Sequence, residues 1–244
     1  MTQNWLRENK AKWLKGGEGS GNFGHAGRVG LVGGSAKNTV NFNIKRDNSQ
    51  VIFDKSGAMK YGESILSEGE LTQNEINTII DYKKNGYYRP INNRLRNRLN
   101  EHGTWDNEKV DEWISLLDSS IKKSKLPKDT VVYRGINSNR LEIGDTFTDK
   151  AFTSTTMYRK HAYSWTYRKS FKSGKYVVFE INLPKGSNAL FADDRNLDNM
   201  GEFEFLLPHG LTYKIVGEYE DIYKDGHSSK KIPIRILQLE IINE

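Results

Sequence analysis

Residues 201–208, GEFEFLLP, place two carboxylates one residue apart, directly ahead of an apolar run. Read as a strand, the stretch puts Glu202 and Glu204 on one face and Phe203 and Phe205 on the other, because side chains alternate. That alternation fits a solvated face above a core face. It also fits a cleft, where neighbouring carboxylates repel and the pKa of at least one rises, which suits acid–base chemistry. A second candidate is Arg134, in the run VVYRG at 131–135. A charge beside a core strand needs a partner. A salt bridge across the sheet would supply one, and so would a phosphate or carboxylate gripped by both arms of the guanidinium. Gly135 follows, where a ligand could approach the backbone closely. The third candidate, FTSTT at 152–156, is a run of hydroxyls that is common at strand edges and informative only in combination.

Other chemistries find little support. The chain has no cysteine, which excludes disulfides, thiol nucleophiles and thiolate metal ligands. His25, His102, His161, His209 and His227 are scattered without metal-ligand spacing, so no metal is expected. The Gly-rich segment 16–35 carries neither a P-loop nor a dinucleotide-binding fingerprint. The net charge of +6 mildly favours anionic partners. Lys83, Lys84, Arg89, Arg94, Arg96 and Arg98 form a basic run that reads as a solvated face; a nucleic-acid partner is the alternative.

The elements that must position these residues are legible in outline. With 244 residues the chain fits one large domain, or one domain with a small extension. Residues 2–15 suggest a short helix, and 16–35, with nine glycines in twenty residues, a flexible linker. The main domain is expected to begin near residue 40, dividing the chain into 1–39 and 40–244. Helices are predicted over 71–84, with Thr72 and Glu75 as a capping box, over 91–100 after a break at GYYRP, and over 106–124. Beyond Pro127 the texture turns to β-rich runs at 130–136, 150–157, 176–183, 202–207, 211–221 and 232–242, with a helix over 158–171. The last two runs are joined by a hairpin. Helices first and then strands, without regular βαβ alternation, predict an α+β fold with a mostly antiparallel two-sheet core.

Taken together and in this order, VYRG, FTSTT and EFEFLLP resemble the arginine–serine–glutamate class of mono-ADP-ribosyltransferases, which includes the clostridial actin-modifying toxins. YYRPINNRLR at 87–96 is similar to the helical segment that precedes the core in those toxins. The likeness covers about residues 75–220, with Thr156 departing from serine at the third position of the Ser-Thr-Ser motif. It implies NAD as substrate, cleavage of its nicotinamide–ribose bond, and transfer of ADP-ribose to a protein acceptor, with arginine expected. By motif position Glu204 stabilises the oxocarbenium-like ribose, Ser154 fixes Glu204, Arg134 grips the NAD phosphates, Gly135 offers its backbone to nicotinamide, and Glu202 serves the acceptor. Residues 192–201 would face that acceptor. An NAD glycohydrolase on the same fold and a non-catalytic phage structural or binding protein are the alternatives. The latter arises because GNFGHAGRVGLVGGS at 21–35 resembles a Gly-rich segment of proteins encoded with phage heads and portals. No apolar run approaches a membrane span, and no signal-peptide h-region is visible. The expected location is the cytoplasm of the producing or infected cell, or a virion, or delivery as an effector.

Overall fold

The computed structural model describes residues 54–66, 71–98, 105–137, 140–169, 176–193, 201–224 and 230–243. The helix expected over 2–15, the Gly-rich segment and the boundary near residue 40 lie outside the described residues.

Among the described residues, four helices precede the sheet. In α1 (Lys55–Leu66), Gly62 lies against the Phe191 ring so closely that a Cβ there would come within 2.4 Å of it. In α2 (Gln73–Lys84) the Thr72/Glu75 capping box forms as the sequence predicts, with Thr72 N–H donating to Glu75 Oε2 at 2.6 Å and Glu75 N–H to Thr72 Oγ1 at 3.3 Å. The Glu75 carboxylate also receives Ser119 Oγ at 2.6 Å and Lys123 Nζ at 2.8 Å, which ties α2 to α4. The next helix, α3 (Tyr88–Leu95), starts earlier than expected. Pro90 does not break it, because in the first turn the missing N–H would have no partner anyway. In α4 (Asn107–Lys123) the side chain of Asp106 accepts from Glu108 N–H at 2.9 Å.

The strands are β1 (Thr130–Ile136), β2 (Thr146–Asp149), β3 (Thr153–Thr156), β4 (Val177–Leu183), β5 (Leu190–Phe191), β6 (Glu204–Leu207), β7 (Leu211–Lys224) and β8 (Lys231–Asn243). A fifth helix, α5 (Arg159–Lys169), links β3 to β4. The expected two-sheet core is corrected by the pairing. One eight-stranded sheet runs in the order β2-β7-β8-β4-β1-β3-β6-β5, antiparallel except for β4 with β8. Its continuity rests on a slender link: among the described residues β1 and β3 share the single register pair Tyr133↔Thr156. On its other side β1 pairs with β4 along its whole length, from Thr130↔Leu183 to Ile136↔Val177. Past Tyr133 the two strands part, and Arg134 and Gly135 lie on one lip with Ser154 on the other. At the far side β7 runs well beyond β2, which pairs only with Leu211–Lys214.

Three apolar clusters sandwich this sheet. Phe179, Ile181, Phe191, Phe205 and Leu207 pack with Ala58 and Ile65 of α1. Helices α2–α4 cover Phe152, Leu190 and Leu206 through Ile79, Tyr82, Ile91 and Leu117. On a third front, Ala162 and Tyr163 of α5 pack on Val131, Tyr133 and Val178. Directly opposed residues of an antiparallel pair share a face. The registers Ser154↔Leu206 and Thr156↔Glu204 therefore put Ser154 and Glu204 on the face that α2–α4 cover.

Candidate active site

The site forms where the sheet parts. Arg134 reaches from β1 into the gap, and its Nη1 donates to the Ser154 carbonyl at 2.8 Å. Its charge acts on two tyrosine hydroxyls, Tyr82 under the helices and Tyr213 on the other side. Gly135 lies beside it, yet its missing side chain is explained by packing. A Cβ would sit 2.7 Å from the Ala162 carbonyl and 2.9 Å from the Trp165 ring, so the close approach that requires glycine here is that of α5.

Across the gap Ser154 Oγ donates to Glu204 Oε1. Glu204 is only 8% exposed. Its second oxygen lies 3.5 Å from Lys83 Nζ of α2. Lys83 is in turn ion-paired with Asp193, and both side chains are almost fully buried. Burial pulls the Lys83 pKa down, but Glu204 and Asp193 outweigh it and hold the ammonium above its ordinary range.

Glu202 departs from the strand reading. Strand β6 starts at Glu204, and the backbone ahead of it turns left-handed, with φ of 66° at Gly201 and 53° at Phe203. Glu202 and Glu204 are therefore not neighbours on one strand face, and Phe203 and Phe205 are both buried in the same core cluster. The segment is pinned at each peptide. Thr156 Oγ1 donates to the Glu202 carbonyl at 2.6 Å, Phe203 N–H donates to Asp193 Oδ2 at 2.5 Å, and Ala192 N–H donates to the Glu204 carbonyl at 2.9 Å. Thr156 thus supplies the hydroxyl that serine would supply. Burial, and then the Glu204 charge, raise the Glu202 pKa above the usual carboxylate range, while Lys83 pulls it down. The helix α5 borders the same space. Arg168 acts on Glu202, and burial followed by Arg168 holds His161 below its ordinary range.

The basic run expected to be a solvated face is so only in part: Lys83 is internal and Arg96 pairs with buried Asp149 at 2.9 Å, whereas Arg94, paired with Asp111 at 2.7 Å, is exposed. Asn92 of α3 is a further polar residue that none of the three motifs marks. Its Nδ2 donates to Tyr82 Oη at 3.2 Å, while its Oδ1 is buried with no hydrogen-bond partner. Asn92 belongs to the stretch 87–96, whose likeness to the toxins' helical segment was the signal available; Lys83 lies outside that stretch.

Comparison with known proteins settles the family. The model of the ADP-ribosyltransferase exoenzyme family matches residues 57–238, about three-quarters of the chain. The chain belongs to the ADP-ribosyltransferase exoenzyme family. Members of this family take ADP-ribose from NAD, and NAD is accordingly the substrate of this ADP-ribosyltransferase. It is similar to the epidermal cell differentiation inhibitor of Staphylococcus aureus, with 25% identity over 187 residues, 66% of this chain and 74% of that protein. It is also similar to an NAD(+)–arginine ADP-ribosyltransferase of Enterococcus faecalis, with 30% identity over 165 residues, 64% of this chain but only 32% of that protein. Among solved structures, the ADP-ribosylating toxin BECa of a binary enterotoxin of C. perfringens, determined with NADH, superimposes with a TM-score of 0.62 at 26% identity. That likeness covers 79% of this chain and half of the toxin. The family match contains all three motifs and begins just inside the first described helix.

Proposed function

We propose that this ADP-ribosyltransferase modifies arginine side chains of a protein, and that the parted β1/β3 edge with the Ser154–Glu204 pair is its NAD site. The observation that carries this reading is a buried carboxylate held by a serine hydroxyl and facing the gap that Arg134 enters. Arg134 grips the NAD phosphates, as a planar fork suits. Gly135 offers main-chain groups to the nicotinamide amide. As the C1′–nitrogen bond to nicotinamide breaks, neutral nicotinamide leaves with the bonding electrons and positive charge develops on the ribose. Glu204 stabilises that charge and holds the 2′-hydroxyl, while Ser154 fixes the carboxylate so that little reorganisation is needed.

Glu202 serves the second half of the reaction. A guanidinium is a poor nucleophile until a proton leaves. Its nitrogen forms the new bond to C1′ as its proton passes to Glu202, whose raised pKa suits a base. Arginine as acceptor is supported by the E. faecalis relative's name. The engagement of Lys83, Arg94 and Arg96 with carboxylates speaks against a nucleic-acid acceptor. The enzyme is a toxin-like effector acting on a protein of the cell it reaches, with residues 40–244 as the transferase domain and 1–39 as a segment ahead of it. None of the described helices is long and apolar enough to cross a membrane.

The test is incubation with labelled NAD and a simple guanidine acceptor, followed by nicotinamide assay and mass spectrometry. An ADP-ribosylated guanidine is the expected product. Nicotinamide release with free ADP-ribose alone would make the protein an NAD glycohydrolase and refute the transfer reading.

A further inference from the structure

Phe203 is a bulky residue in a left-handed conformation, at φ 53°. Such a conformation costs of order 1–3 kcal/mol and persists only where the surroundings over-determine it. Three contacts do so. The Phe203 ring is buried against Tyr158 at 5.6 Å between centroids, the Lys55 ammonium lies 5.8 Å from its centroid, and its N–H is held by Asp193 Oδ2 at 2.5 Å. The first two fix the ring. The third holds the N–H side of the peptide plane between residues 202 and 203, whose carbonyl side Thr156 Oγ1 holds at 2.6 Å, and that plane sets the direction in which Glu202 leaves the backbone.

Asp193 is itself held. It is 1% exposed, and its Oδ1 is ion-paired with Lys83, which has Glu204 Oε2 at 3.5 Å on its other side. One buried ammonium therefore touches the carboxylate of β6 and the carboxylate that orients Glu202. We propose that Asp193, anchored by Lys83, is a positioning residue for the transfer step: through the Phe203 amide it aims Glu202 at the acceptor, while the nicotinamide bond is left to Glu204. This rests on the reading of Glu202 given above.

Removing Asp193 alone would leave Lys83 as a buried cation stripped of its ion-pair partner, and removing one member of a buried pair is strongly destabilising. The test therefore uses a background in which both charges are gone. Lys83→Gln/Asp193→Asn keeps an acceptor oxygen for Phe203 N–H, and Lys83→Gln/Asp193→Ala deletes it. The readout is the ratio of guanidine labelling to nicotinamide release, which general instability would not move, since it lowers both. A displacement of about 1 Å at a reacting group costs about 100-fold. The ratio should be about 100-fold lower in the alanine form than in the asparagine form. Equal ratios in the two forms overturn the proposal. Glu202→Gln is measured alongside. If it lowers the ratio while the two double variants agree, Asp193 alone is misassigned. If Glu202→Gln leaves the ratio at the wild-type value, the reading of Glu202 falls and this proposal with it.

Discussion

Glu204→Gln keeps the shape of the side chain and removes its charge. In the structure Glu204 faces two donors, Ser154 Oγ and, at 3.5 Å, Lys83 Nζ. A glutamine has one acceptor oxygen, so it can serve only one of them. Ser154 keeps its bond, Lys83 keeps Asp193, and the loss to stability is expected to be about 1–2 kcal/mol. The loss to catalysis is larger. A unit negative charge about 4 Å from a developing positive charge contributes about 4 kcal/mol at the effective dielectric of a partly buried site. Removing one preorganised stabiliser typically costs about 2.7–4 kcal/mol, or about 100- to 1,000-fold in rate. The two routes agree, so kcat for nicotinamide release should fall by about that factor. The KM for NAD should change little, because the lost interaction is made in the transition state. Nicotinamide release and guanidine labelling, measured side by side on the purified variant with a thermal melt as control, give the answer. A folded variant with a rate within about tenfold of wild type would refute the reasoning.

Four further outcomes are expected. Glu202→Gln should cut guanidine labelling by about 100-fold or more, the typical worth of a positioned base, while slow NAD hydrolysis persists; equal loss of both signals would make Glu202 part of the NAD pocket. Arg134→Lys keeps the charge and loses the fork, so NAD affinity by calorimetry should fall about tenfold or more, and an unchanged affinity would make Arg134 structural. Gly135→Ala places a Cβ 2.7 Å from the Ala162 carbonyl, and the resulting overpacking should cost about 1–3 kcal/mol in a denaturant melt. Finally, the Glu75 pKa is lowered from 4.5 to about 2: burial raises it, and Lys123, Ser119 and Thr72 outweigh burial. A depressed carboxylate stabilises the fold above the unfolded value and ceases to do so as pH falls through the folded one, so Glu75→Gln should lower Tm at pH 7 and converge with wild type by about pH 2. The gap at pH 7 is at most about 3 kcal/mol, and about 1–2 once solvent screening at the half-exposed Lys123 is allowed for.

The parts of the fold that local chemistry dictates were legible from sequence. Thr72 with Glu75 announced the start of α2, and the strand expected over 130–136 is β1 to the residue. What escaped was short or nonlocal. Strands β2 and β5 span four and two residues, too few for alternation to show. The start of α3 escaped because a proline in the first helical turn leaves the helix intact. Motif order groups Arg134, Ser154 and Glu204, and the structure brings the three to one gap. The geometry of Glu202 was not readable, because an i, i+2 argument assumes extended backbone and Phe203 is left-handed. Nor was Lys83: its ion-pair partner lies 110 residues away, and nothing in a basic run marks one member as internal.

The length of β7 bears on how the enzyme behaves when concentrated. Past Lys214 it outruns β2, so its outer side from Val216 to Lys224 has no strand beside it among the described residues. An unpaired strand edge is a template for another chain. Here the outward positions carry Glu218, Glu220, Ile222 and Lys224, all exposed, and Arg235 of β8 is clasped to Glu218. A neighbouring molecule adding a strand would have to bury those charges. The other end of the sheet is only the two residues of β5, with α1 packed on Phe191. Both borders thus carry features that disfavour edge-to-edge pairing: charges along the long border and a short, covered strand at the other.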